Sequence, residues 1–287
     1  MIRKTIAILL LAAAAAIHCA EAQPKGRPDP RFVQPDQIDP ATGTQVLEAF
    51  RSARTAGDYD FDFIFVNRPR GGENRTLTGR MLGTWDQAGH ALGRADVLLP
   101  DGHTLQLLYK GGTDGAIYEG RQGQVAQKLD GEARFAPIAE GLTFTPFELQ
   151  MPFLFWTDYV YEGTRKLMGR PAHYFILYPP VDFESQQIGA VRVAIDADFM
   201  VMLMAEELDH DGNPFKDFRI NGFKKVDGQW IVKEIDLVNE TSKDRTRFKV
   251  IGARVGLTLP AELFTLSEDG SIPDMPEGQS ALQPGDN

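Results

Sequence analysis

Cysteine is almost missing from this chain: of 287 residues only Cys19 carries a thiol, and it lies close to the N-terminus. Beyond it nothing can form a disulfide, a thiolate metal site or a cysteine nucleophile, so stability must come from burial. Histidine is scarce too. His90, His103, His173 and His210 stand singly in turns and strands, without the pair one helical turn apart that zinc hydrolases use. Serine is sparse and no Gly-x-Ser-x-Gly elbow occurs, which removes the common acyl-transfer arrangement. Gly111-Gly112 follows a strand pattern but lacks the Lys-Ser/Thr of a phosphate-cradling loop. The turn Asp209-His210-Asp211-Gly212-Asn213 lacks the spacing and closing glutamate of a calcium loop and reads as a hairpin turn. These absences point to a protein that is not an enzyme and has no metal or cofactor.

Positive charge is in deficit as well, with 30 Lys and Arg against 40 Asp and Glu, a net charge of −10. That sign repels nucleic acid and anionic lipid surfaces and leaves a neutral or basic partner the better fit. No apolar run is long enough to span a bilayer, which takes about 20 residues. The longest, Ile6 to Ile17, follows Arg3 and Lys4 and precedes Ala20-Glu21-Ala22, the pattern of a secretory signal peptide cleaved after Ala22. Loss of that leader takes Arg3, Lys4 and Glu21 with it and moves the net charge from −10 to −11. A lipid anchor on Cys19 is disfavoured by the bulky His18 before it. The expectation is a protein exported in soluble form. The sequons at Asn74 and Asn239 would matter only in a eukaryotic secretory pathway.

What the chain does have is strand pattern. Residues 1–22 are the leader, and 23–37 form a proline-rich extended arm. Val46, Leu47, Phe50 and Ala53 recur at helical spacing within Ile38–Ala56, before Gly57. The period then becomes two: Tyr59, Phe61, Phe63 and Phe65 share one face, opposite Asp58, Asp60 and Asp62. Similar runs follow at 76–85, 103–110, 115–121 and 124–129, separated by Gly-rich turns. Prolines 137, 146 and 152 interrupt 137–156, predicting an irregular crossover. Strand runs resume at 159–164, 173–178, 191–196, 199–209, 215–226, 229–239 and 245–257. The tail 267–287, rich in Pro, Gly, Asp and Ser, is expected to be disordered. One domain over 38–266 follows, mainly β with few helices.

The strands carry a surplus of large, adaptable apolar side chains. Met200, Met202 and Met204 alternate with Phe199, Val201 and Leu203, which predicts a strand apolar on both sides with the methionines sharing one face. Each such residue also suits the plain core of a large sheet. Taken together they fit a curved sheet, too sparsely covered by helices, that encloses an apolar site. The residues expected to line it are Phe61, Phe63, Phe65, Leu105, Leu107, Phe153, Phe155, Trp156, Met200, Met202 and Met204.

The order Tyr161-Glu-Gly, His173-Tyr-Phe-Ile-Leu, Asp211-Gly-Asn, Phe223-Lys-Lys-Val-Asp-Gly-Gln-Trp-Ile and Thr246-Arg-Phe-Lys-Val, closing on Leu263-Phe264-Thr265, resembles the LolA-like bacterial outer-membrane lipoprotein-sorting proteins. The resemblance spans about residues 40–266 and rests on the succession of hairpins. It implies a half-barrel closed by helices, acting as a monomer in the periplasm, whose cavity shields lipoprotein acyl chains or another lipid. Shielding is physically sensible, since each exposed CH₂ costs about 0.8 kcal/mol in water. A lid-closing arginine, which the resemblance implies, would fall on Arg80. The other reading is a sensor or scaffold of related fold that binds the exported domain of an envelope membrane protein.

Overall fold

The alternation that begins at Tyr59 is realised in β1 (Asp58–Arg68), which turns Tyr59, Phe61, Phe63 and Phe65 to one side and the aspartates to the other. The computed structural model describes residues 38–276, apart from 113, 114 and 184. The expected signal peptide, Cys19, the proline-rich arm and residues 277–287 lie outside the described residues. The strands after β1 are β2 (Arg75–Trp85), β3 (Ala91–Leu98), β4 (Thr104–Lys110), β5 (Ile117–Arg121) and β6 (Gln127–Lys128). They are followed by β7 (Asp158–Leu167), β8 (Arg170–Tyr178), β9 (Ala190–Asp196), β10 (Met202–Leu208), β11 (Pro214–Val226), β12 (Gln229–Asn239) and β13 (Arg245–Leu257).

All thirteen form one antiparallel sheet in the order β6-β5-β4-β3-β2-β1-β13-β12-β11-β10-β9-β8-β7. Tight turns suffice within each run because antiparallel neighbours need no crossover. The two runs meet where β1 pairs with β13, from Asp58↔Leu257 to Arg68↔Arg245. This order leaves the chain at one edge after β6 and requires it at the opposite edge for β7. Residues 129–157 make that journey across the concave face, where Phe144, Phe147, Phe153 and Trp156 join the main core. Their prolines shape the path. Pro146 opens α2 (Pro146–Gln150), capped by Thr145 and Glu148, and Pro152 opens a 3₁₀ turn after Met151, whose φ of 50° ends α2. The result is the curved, open half-barrel expected from the sequence, closed by the crossover and by α1 (Pro40–Ser52). Both oxygens of Asp39 cap α1, accepting from Ala41 and Thr42 at 3.1 Å, and the helix buries Val46 and Leu47.

Three details differ from the sequence reading. β3 was not anticipated, because Gly93, Arg94 and Asp96 interrupt its apolar pattern. Arg94 is nonetheless fully buried on the outer face, pairing with Asp96 at 2.9 Å. The methionine ladder is split: a bulge between Met202 and Met204 sends Met202 into the main core and Met204 into a separate cluster with Ala172, Tyr174, Ala194 and Leu203. Residues 267–276 are packed, not loose. Ser271 bridges to Val125, Ile272 is buried, and Met275 lies against a cluster of Leu82, Leu263 and Phe264, so two apolar side chains dock a segment whose composition is otherwise polar.

Candidate functional site

Register places four residues side by side across the concave face: Tyr59, Gly83, Gly93 and Tyr109 on β1, β2, β3 and β4. The two glycines have no side chains there, and the tyrosine rings lie over them. A Cβ on Gly83 would stand 2.0 Å from the Tyr59 ring, and one on Gly93 2.2 Å from the Tyr109 ring. The two hydroxyls interact over the gap, and burial pushes the Tyr59 hydroxyl up to about 12. Laid flat, these rings leave room above them.

That room is a partly open cavity of about 310 Å³. Its floor includes Tyr59, Phe61, Met81 and Tyr109, and its roof is Phe50 of α1 with Leu149, Leu154 and Phe155 of the crossover. The lining is predominantly apolar. Two roomier clefts, of about 470 and 610 Å³, sit elsewhere among turn residues. The first is walled by Gln186, Gln187, Asp209, Asp211 and Asn239, and the second sets Leu77, Leu99, Ile138 and Leu142 among Asn67, Arg75, Asp101 and Glu140, so both are more polar than the cavity over the tyrosines.

Polar groups stand at the boundary of the cavity. Arg51, in the last turn of α1, donates from Nε to the Leu154 carbonyl at 2.5 Å and from Nη2 to that of Trp156 at 2.6 Å, fastening helix to roof. Arg54 donates from Nη1 to the Arg51 and Ala53 carbonyls, and its guanidinium lies 4.8 Å from the Trp85 ring. Burial lowers the pKa of both arginines, yet far too little to discharge either.

Behind the roof three ionisable groups are buried together. Lys216 of β11 binds Glu148 of α2 and lies 3.8 Å from Glu207 of β10. Glu148 also accepts from the Thr145 amide at 2.7 Å and the Thr145 hydroxyl at 2.5 Å. Burial and the neighbouring Glu148 raise Glu207 well above the usual carboxyl range, so it holds a proton, whereas Lys216 and these hydrogen bonds keep Glu148 ionised against its own burial. The cluster pins the crossover to the sheet.

Of the residues expected at the site, Phe61 and Phe155 line the cavity. Phe63, Phe65, Leu105, Leu107, Phe153, Trp156 and Met202 are instead buried in the main core, where the Phe63, Phe65, Phe144 and Phe248 rings interlock at centroid distances of 4.9–6.4 Å. Met200 packs at the edge of this core, and Met204 lies in the separate cluster behind it. Arg80 is no lid: on the outer face it grips Asp60 through two bonds at 3.0 and 2.8 Å and donates to the Pro276 carbonyl. The fastening belongs to Arg51. Its position in the last helical turn was the available signal, since a basic residue there can reach carbonyls beyond the helix end.

The fold has solved counterparts. A family model described as an uncharacterized protein matches residues 152–268. A DUF1329 family protein from Desulfovibrio piger is 16% identical and superposes with a TM-score of 0.68, covering 79% of this chain and 98% of its own. A domain named for outer membrane lipoprotein sorting, from Vibrio parahaemolyticus, is 14% identical with a TM-score of 0.68, covering 79% and 97%. A LolA superfamily protein from Nitrosomonas europaea is 12% identical with a TM-score of 0.58, covering 77% and 96%. No curated protein matches the sequence. At these identities the likeness is one of fold, and the fold is LolA-like.

Proposed function

We propose that this protein is a non-catalytic periplasmic binder that holds an acyl chain of a lipid or lipoprotein in the cavity beneath α1 and the crossover and carries it between membranes. The observation that carries this reading is the apolar cavity itself, kept open above Gly83 and Gly93 in an otherwise interlocked interior. Roughly 0.8 kcal/mol per buried CH₂ makes even a medium-length chain a worthwhile occupant. The roof is fastened by hydrogen bonds from Arg51 and by one buried ionic cluster, attachments that can be exchanged to admit or release a chain.

The test is a titration with a neutral pyrene-labelled alkanol. Saturable binding at one site is expected for the wild type and is expected to vanish in Ala91→Trp, which places an indole in the cavity that Ala91 of β3 lines. An absence of wild-type binding at tens of micromolar, with the fold intact by circular dichroism, would refute the reading. Recovery of one specific membrane protein from envelope extract, without lipid, would favour the scaffold alternative.

A further inference from the structure

The cavity lining is apolar apart from Arg51, Arg54, Gln150 and Glu148, and because Glu148 is paired with Lys216 the two arginines carry the charge that sets its ligand. The chain carries ten more acidic than basic residues. Most buried arginines are consequently matched to carboxylates, as Arg80 is to Asp60, Arg94 to Asp96 and Arg247 to Asp236. Arg51 and Arg54 both line the cavity, and neither forms an ion pair among the described residues. The charges they sense are Glu48, exposed on α1, for Arg51 and Asp86 for Arg54. Asp86 is already engaged: it accepts from the His90 amide at 2.8 Å and lies 3.1 Å from the His90 ring and 3.3 Å from the Lys110 ammonium. Burial opposes ionisation of Asp86, but these partners hold its pKa down to about 2.

The two arginines differ in what they have left to offer. Arg51 has committed Nε and Nη2, the edge that grips a carboxylate through two parallel bonds, to the crossover carbonyls. Arg54 uses only Nη1, for the end of its own helix, so its Nε and Nη2 edge has no protein acceptor among the described residues. The neighbour on that edge is Gly89, where a Cβ would stand 2.6 Å from Nη2 and 3.1 Å from Nε, so the guanidinium lies in the place a side chain would take and no side-chain acceptor from Gly89 competes for it. Trp85, 4.8 Å away, supports the guanidinium from one face.

We propose that Arg54 is the receptor for the anionic head group, carboxylate or phosphate, of a single-chain amphiphile whose tail occupies the cavity. The inference rests on the chain-binding reading and narrows it. A single chain follows from size, because 310 Å³ lies at the lower limit of ligand pockets, which run from about 300 to 1,000 Å³. The anionic head follows from the rim, where an unpaired, partly desolvated guanidinium gains more from a carboxylate than it would in water.

The experiment is calorimetric titration of the full chain with dodecanoate, monododecyl phosphate, dodecanol and dodecyltrimethylammonium, for the wild type, Arg54→Gln and Arg54→Lys. The wild type is expected to bind dodecanoate or the phosphate roughly ten- to a hundredfold more tightly than dodecanol, the range of a charge-assisted hydrogen bond. The better of those two names the head group. Arg54→Gln should retain dodecanol binding, which shows the cavity intact, and lose the preference; Arg54→Lys should keep part of it. Equal affinity for the anionic and neutral chains in the wild type overturns the head-group assignment and leaves chain binding standing. A preference that survives in Arg54→Gln, or loss of dodecanol binding in that variant, overturns the role of Arg54. Failure of every chain to bind the wild type removes the underlying reading, and the inference falls with it.

Discussion

The concave face of this sheet is packed solid around Phe65 and hollow around Tyr59, although both residues belong to β1 and point the same way. Around Phe65 every neighbour across the sheet or from the roof carries a large side chain: Phe63, Phe144 and Phe248 meet it ring to ring. Around Tyr59 the neighbours on β2 and β3 are Gly83 and Gly93, and the Tyr59 ring lies down into the place a Gly83 side chain would take, as Tyr109 does at Gly93. A cavity in a close-packed interior thus coincides here with a local omission of side chains on β2 and β3, beside a stretch of β1 whose pairing with β13 shifts register at Asp58/Tyr59 and at Asp62/Phe63.

Truncating the solid region should have the largest effect. Phe65→Ala is expected to cost about 3–5 kcal/mol by urea unfolding, whereas Phe61→Ala, at the cavity wall, should cost well under half as much because it enlarges a space that already exists. Equal costs would erase the distinction between the regions. Next comes the buried cluster that holds the roof. Lys216→Met strands Glu148 and Glu207 together and should cost about 3–5 kcal/mol near neutral pH.

The same cluster gives a pH signature of smaller size. Because the folded pKa of Glu207 is raised above its ordinary value of 4.5, the folded state binds the extra proton, and its contribution to stability is complete below about that pH and lost as pH rises toward the folded value. The slope from this one group is at most ~1.4 kcal/mol per pH unit. Glu148, with a lowered pKa, acts in the opposite sense, losing its contribution only as pH falls below about 4.5. Urea midpoints between pH 5 and 8 should therefore decline less steeply in Glu207→Gln than in the wild type; parallel declines would remove Glu207 from the account. The smallest stability effect is expected of Gly83→Ala, whose methyl displaces the Tyr59 ring into the cavity. Its signature is a weakened affinity for the neutral alkanol, by roughly tenfold for each 1.4 kcal/mol of binding lost.

Much of this architecture is legible in the residues alone. Aspartate–aromatic alternation announces β1, and the glycine-bearing turns announce most hairpins. Prolines 137, 146 and 152 mark the crossover correctly as irregular. The site was harder to read, and for a definite reason. Large apolar side chains signal burial, and burial with partners makes core: Phe63, Phe65, Leu105, Leu107, Phe153 and Trp156 are core because large rings and aliphatic side chains from the crossover and β13 close over them, even where Phe63 lies over Gly79. The hollow is written in small residues: Gly83 and Gly93, which register sets beside Tyr59 and Tyr109, and Ala91, which it sets opposite Trp85. A period of two sets Met204 on the side of Met202, and the bulge between them reverses it. Arg80 was misassigned because charge does not reveal which face of a strand is covered, and here the outer face binds residues up to Pro276.

The central claim, that the space over Tyr59 and Tyr109 is a binding site, is tested most directly by mass spectrometry of the organic extract of protein purified from its native source. One single-chain lipid per protein, absent from the Ala91→Trp variant, is the predicted result. A wild-type extract holding no more lipid than that variant would contradict it.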